Sequence, residues 1–156
     1  MSAPKLNRVV ADFKAEATSD QTIHLKSLRG QNVVLYFYPK DSTPGCTTEG
    51  QDFRDLHTKF RRNKTRIFGV SRDSLKSHER FREKQSFPFE LISDPDEKLC
   101  RQFDVIREKT LYGRKFMGIE RSTFLIDAAG KLRQEWRKVK VKTHAAEVLD
   151  AVKLLK

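Results

Sequence analysis

In the stretch YPKDSTPGCTTEGQ, residues 38–51, one cysteine follows two prolines and a threonine. Thr43, Pro44 and Cys46 have the spacing of a helix start, with Thr43 as N-cap, Pro44 at the first helical position and Cys46 at the third. Backbone N–H groups are unpaired there and the helix dipole is positive, which favours a reactive thiolate. Magnitudes limit what the helix does alone. A free thiol of pKa about 8.5 is only slightly ionised at neutral pH, and a helix end contributes about 0.3–1 kcal/mol, less than one pKa unit. A neighbouring cation can lower a pKa by roughly 1–3 units. Thiolate chemistry at Cys46 therefore requires a basic partner, and spacing does not single one out among 32 Lys and Arg residues. A small buried residue packing helix on strand fits the same position, and spacing leaves both readings open.

The only other cysteine is Cys100. Two cysteines in 156 residues are too few for a disulfide-stapled secreted scaffold. They are also far apart, and His24, His57, His78 and His144 are scattered singly, so no metal-ligand cluster is expected. Each histidine reads as a surface or half-buried residue. The N-terminus carries no apolar secretory segment and no run reaches membrane-spanning length, so a reducing cytoplasm is expected.

The elements that must position Cys46 follow from pattern. Val33–Tyr38 (VVLYFY) is a continuous apolar run, as in a strand covered on both faces, and Pro39 ends it. Phe53, Leu56 and Phe60 then form one helical stripe. Arg66–Ser71 is a second strand, Ser74–Gln85 a charged surface helix, and Phe89–Ser93 a third strand. In Asp94–Phe103 an Asp can cap a helix, with Pro95 at its first position. Arg121–Lys138 reads as a hairpin around Ala128-Ala129-Gly130. Ala145, Val148, Leu149, Val152 and Leu155 share a face of a closing helix. Glu108–Gly118 is read as a loop. The order predicts a single α/β domain over 1–156, a thioredoxin-like three-layer fold with a central mixed β-sheet flanked by helices.

Pro39-x-x-x-Thr43-x-x-Cys46 matches the peroxiredoxin active-site pattern. YFYPKDSTPGCTTEG, ISDPDEKLCRQF and RSTFLID resemble the bacterioferritin-comigratory, or peroxiredoxin Q, subfamily over essentially the whole chain. The resemblance implies a thiol peroxidase acting on hydrogen peroxide and organic hydroperoxides without a cofactor. Cys46 would be the peroxidatic nucleophile, cycling through a sulfenic acid. Thr43 would hydrogen-bond the peroxide, Pro39 would shield the site, and Arg121 would supply the cation. Glu49 matches a family position that orients this polar network, although an acidic residue in a first helical turn is also ordinary capping.

The pattern breaks at Gln51, where many subfamily members carry a resolving cysteine. Positions five apart in an intact helix are roughly 8–9 Å apart, beyond disulfide reach, so members with that pair must unwind the helix. Here either Cys100 resolves the sulfenic acid, as an atypical two-Cys enzyme, or an external thiol does, as a one-Cys enzyme. Cys100 lies beside Leu99 and Phe103 and also fits a buried structural thiol. Thioredoxin is the reductant the resemblance implies, with glutaredoxin or glutathione admitted by the one-Cys route, and a monomer or weak dimer is expected. The net charge of +11 raises a rival class, a nucleic-acid-binding module. Lys59–Arg66 and Trp136–Lys142 are its densest basic stretches, but neither carries a recognition motif. The first suits a solvated helix C-terminus, and in the second Arg137, Lys138, Lys140 and Lys142 suit the outer face of an edge strand.

Overall fold

The computed structural model describes residues 3–155. The apolar run forms β3 (Asn32–Phe37), with Val33 to Phe37 all buried. It pairs in parallel with β4 (Thr65–Ser71), which pairs in parallel with β5 (Glu90–Ser93). On its other side β3 meets β8 (Ser122–Ile126) antiparallel, and β8 continues into β9 (Leu132–Trp136). A short hairpin, β1 (Lys14–Ala17) and β2 (Gln21–His24), extends the far edge, giving the order β2-β1-β5-β4-β3-β8-β9. This is the mixed, helix-flanked sheet expected from the element order.

Strand alternation splits the core into two layers. Val34, Tyr36 and Tyr38 point to one face, where α1 (Pro44–Arg62), α2 (Leu75–Gln85) and α4 (His144–Lys153) supply Phe53, Phe60, Phe81, Val148 and Val152. Val33, Leu35 and Phe37 point to the other, under α3 (Lys98–Gln102), with Leu99, Cys100 and Phe103. No helix among the described residues is long and apolar enough to cross a membrane.

Several expectations need correction. Residues 108–118 are not a loop but most of a two-stranded hairpin, β6 (Ile106–Leu111) and β7 (Arg114–Ile119), outside the main sheet. α3 starts at Lys98 rather than Pro95, because residues 94–97 form a turn closed by Glu97 N–H on the Asp94 carbonyl, with Glu97 left-handed at φ 62°. Asp94 still caps, its carboxylate accepting from the N–H groups of Leu99 and Cys100 at 3.0 and 2.7 Å. β9 ends at Trp136, so the basic residues from Arg137 to Lys142 lie beyond the edge strand. Arg137 instead folds onto Phe124 and donates to the carbonyls of Phe103 and Asp104.

Candidate active site

Pro39 breaks the strand, and the chain turns through Ser42, left-handed at φ 63°, into α1. Thr43 is the N-cap in backbone terms: it is extended and its carbonyl accepts from Thr47 N–H at 2.9 Å. Its side chain does not cap. The hydroxyl donates to the Lys40 carbonyl at 2.8 Å, leaving oxygen lone pairs for another donor. Cys46 follows in the first turn, 2% exposed.

The basic partner is Arg121. The antiparallel pairing places Ser122 opposite Phe37, so Arg121 lies just beyond the end of β3, where α1 begins. Its Nη2 donates to Cys46 Sγ at 3.3 Å and its Nη1 to Glu49 Oε1 at 2.6 Å. Glu49 is three residues after Cys46, one helical turn on, and thus on the same face. Close approach depends on Gly45: a Cβ there would stand 3.2 Å from Arg121 Nη2. Burial pushes the Glu49 carboxyl up to about 7, against the opposing pull of Arg121. Among the described residues its Oε2 has no hydrogen-bond partner and neither has the buried Tyr36 hydroxyl, whose titration is driven well above the ordinary phenol value by burial and by the nearby Glu49 and Cys46.

A second network, invisible in the sequence, anchors the loop from behind. Asp41 accepts from Tyr38 OH at 2.6 Å, from Ser77 Oγ at 2.8 Å and from His78 Nδ1 at 2.7 Å, while its N–H donates to Asp73 at 2.9 Å. His78 Nε2 bonds the Ile92 carbonyl at 2.9 Å. The loop is thereby tied to the start of α2 and to β5. Asp41, Asp73 and His78 could together offer ligand atoms to a metal ion, but these atoms are engaged in the bonds just given. The expectation of surface or half-buried histidines fails at His78, which is fully buried, and at His144, 3% exposed and bonded through Nε2 to Thr123 Oγ1 at 2.7 Å. Burial lowers the His144 pKa to about 4.

The sequence-derived residues thus separate. Pro39, Thr43, Cys46, Glu49 and Arg121 gather at one end of the sheet, the last three in direct contact. Cys100 does not join them. It is fully buried in the layer on the opposite face of the sheet, and burial with the Asp94 carboxylate raises its thiol pKa far above the ordinary value. Gln51 donates to Gln85 Oε1 at 2.9 Å, joining α1 to the end of α2.

A mixed sheet with a cysteine at a helix N-terminus, faced by a buried arginine–carboxylate pair, defines the class of cysteine-based peroxidases with a thioredoxin-like fold. Residues 6–135 match the AhpC/TSA family. The chain is 58% identical over 129 residues to Peroxiredoxin Bcp of Xanthomonas campestris, covering 83% of this chain and 81% of that one. A structure of peroxiredoxin Q from Xylella fastidiosa matches with a TM-score of 0.92 at 43% identity, over 98% of both chains. A structure of the Xanthomonas campestris bacterioferritin comigratory protein, described for its alkyl peroxide reduction activity, matches with a TM-score of 0.86 at 52% identity, over 90% of both chains. The chain belongs to the AhpC/TSA family and is a peroxiredoxin, an oxidoreductase that reduces peroxide through a cysteine thiol.

Proposed function

We propose that Cys46 is the peroxidatic cysteine, that Arg121, Thr43 and Pro39 form its substrate site, and that the chain works as a one-Cys enzyme on hydrogen peroxide and organic hydroperoxides. The observation that carries this reading is the 3.3 Å contact from Arg121 Nη2 to Cys46 Sγ, made by a guanidinium held at its other end by Glu49. The guanidinium sets positive charge and a hydrogen-bond donor against the sulfur, where a thiolate needs both. Thr43 accepts from the peroxide O–H with the lone pairs left by its bond to Lys40, and Pro39 limits water at the same edge. The thiolate attacks the terminal oxygen, an S–O bond forms as the O–O bond breaks, and Cys46 is left as a sulfenic acid. The departing alkoxide or hydroxide takes a proton to become alcohol or water. A thiol from another molecule then displaces water from the sulfenic acid, and a second thiol releases Cys46 as thiol, completing a two-electron cycle.

The opposite-face position of Cys100 supports an external thiol over internal resolution. Thioredoxin supplies both thiols from one protein; glutathione, with or without glutaredoxin, supplies them separately. Peroxide consumption measured with each reductant decides between them. In the same assay Cys46→Ser is expected to abolish turnover and Cys100→Ser to retain it. Turnover surviving in Cys46→Ser overturns the assignment of the nucleophile, whereas turnover lost in a folded Cys100→Ser protein overturns the one-Cys reading.

A further inference from the structure

The site occupies the end of the sheet where β3 and β4 finish; the opposite end, where they begin, carries a different feature. α1 terminates there in Lys59, Arg61 and Arg62, and Lys64 and Arg66 follow on the way into β4. These are five cations in eight residues. Among the described residues none of their side chains forms an ion pair, and Arg66 lays its guanidinium over the Phe68 ring at 5.0 Å. Arg61, Lys64 and Arg66, with Gln31 and His57, line a cleft of about 550 Å³. Lys64 also lines a second cleft of about 540 Å³, with Arg62, Asn63 and Arg133. The two clefts share Lys64, so Arg61, Arg62, Lys64 and Arg66 follow one continuous recessed rim. The acids within it are already engaged: Glu90 by Thr18, Ser19 and Arg82, and Asp127 by Arg133.

A helix C-terminus accounts for two or three cations and not for a run continuing into a strand. Left unneutralised, such a rim attracts a polyanion, and its recessed shape suits a ridge of phosphates better than a flat surface. Among the described residues none of the large exposed apolar side chains lines either cleft, and the larger apolar residues within solvent reach there are Pro88 and the half-buried Leu155, so a bilayer would find little to bury. The missing recognition motif is no obstacle, because phosphate-backbone binding needs no base contact.

We propose that the Arg61–Arg66 rim is a sequence-independent docking surface for the phosphate backbone of nucleic acid, placed at the end of the sheet away from Cys46 so that the bound enzyme keeps its site open to peroxide.

The test is anisotropy of a labelled DNA duplex titrated with the full-length protein, across salt concentrations. With phosphate contacts from Arg61, Arg62, Lys64 and Arg66, the affinity should fall about 100-fold between about 50 and 200 mM salt, and only about tenfold in Arg61→Glu/Lys64→Glu. A matched pair, Lys76→Glu/Lys98→Glu, changes net charge equally among exposed residues at the other end of the sheet and should bind like wild type. Peroxide turnover should be unchanged in both pairs, which also shows that they fold. No salt-dependent binding at low salt overturns the proposal. So does an equal loss in both pairs, or tighter binding to phosphatidylserine-containing vesicles than to the duplex. These outcomes leave the peroxidase reading untouched, since that rests on Cys46 and Arg121.

Discussion

At 1% exposure, Glu49 keeps a carboxyl raised to about 7 even with the Arg121 guanidinium at 2.6 Å. The native chain therefore holds this proton more tightly than the unfolded chain, whose carboxyl titrates near 4.5. Below 4.5 both states are protonated and nothing is lost. As pH rises from there to about 7 the unfolded state ionises while the native state resists, so stability falls, and above 7 the loss is complete. The loss is about 3 kcal/mol in order of magnitude. Glu49→Gln keeps an acceptor for Arg121 without the charge, and should flatten the dependence of melting temperature on pH between 5 and 7. An unchanged slope would show that another group dominates. Arg121→Met removes the donor facing Cys46 and leaves Glu49 unpaired. It should lower kcat/KM for peroxide by about 100-fold or more, the scale on which removing one charged donor acts at such sites, read in single-turnover kinetics with the thermal melt as control.

Between elements, α1 is held against its neighbours by close fits. A Cβ on Gly50 would come within 2.2 Å of the Phe87 ring, which is itself buried and stacked on Phe89 at 5.1 Å. Gly50→Ala must therefore displace α1 or the ring, costing about 1–3 kcal/mol in a urea-unfolding measurement. Asp41→Ala is a second break between elements, since it strips the acceptor from Tyr38, Ser77 and His78 at once. It is expected to destabilise by about 1–3 kcal/mol per buried donor left unpaired and to raise KM for peroxide, because the loop it anchors carries Thr43. Much of this level was legible in the sequence: β3 from its unbroken apolar run, α1 from Phe53, Leu56 and Phe60, and the β8–β9 hairpin from the turn at Gly130. The β6–β7 hairpin was not, because its side chains are mostly exposed and its turn uses Tyr112 at φ 52° in place of the usual Asn or Asp. Arg121 came from resemblance alone; its distance in sequence hides a contact that only strand pairing creates. Asp41 and His78 gave no signal, since polar residues in a turn and on a charged helix look solvated until the tertiary fold buries them.

Across the whole molecule, the seven-stranded sheet separates the two sulfurs, with Cys46 in one core layer and Cys100 in the other. One equivalent of peroxide, followed by mass spectrometry without added thiol, should give sulfenic acid at Cys46, or Cys46–Cys46 dimers, and unmodified Cys100. Excess peroxide should carry Cys46 on to sulfinic acid. An intramolecular Cys46–Cys100 bond would overturn this reading.

That separation has a temporal consequence. On the one-Cys reading proposed above, the chain has no internal clock for returning to the reduced form, so the lifetime of its oxidised state is set from outside, by how often a foreign thiol arrives. Where thiols are plentiful the protein forgets each peroxide molecule quickly; where they run short it accumulates in the oxidised form, and the oxidised fraction records recent exposure.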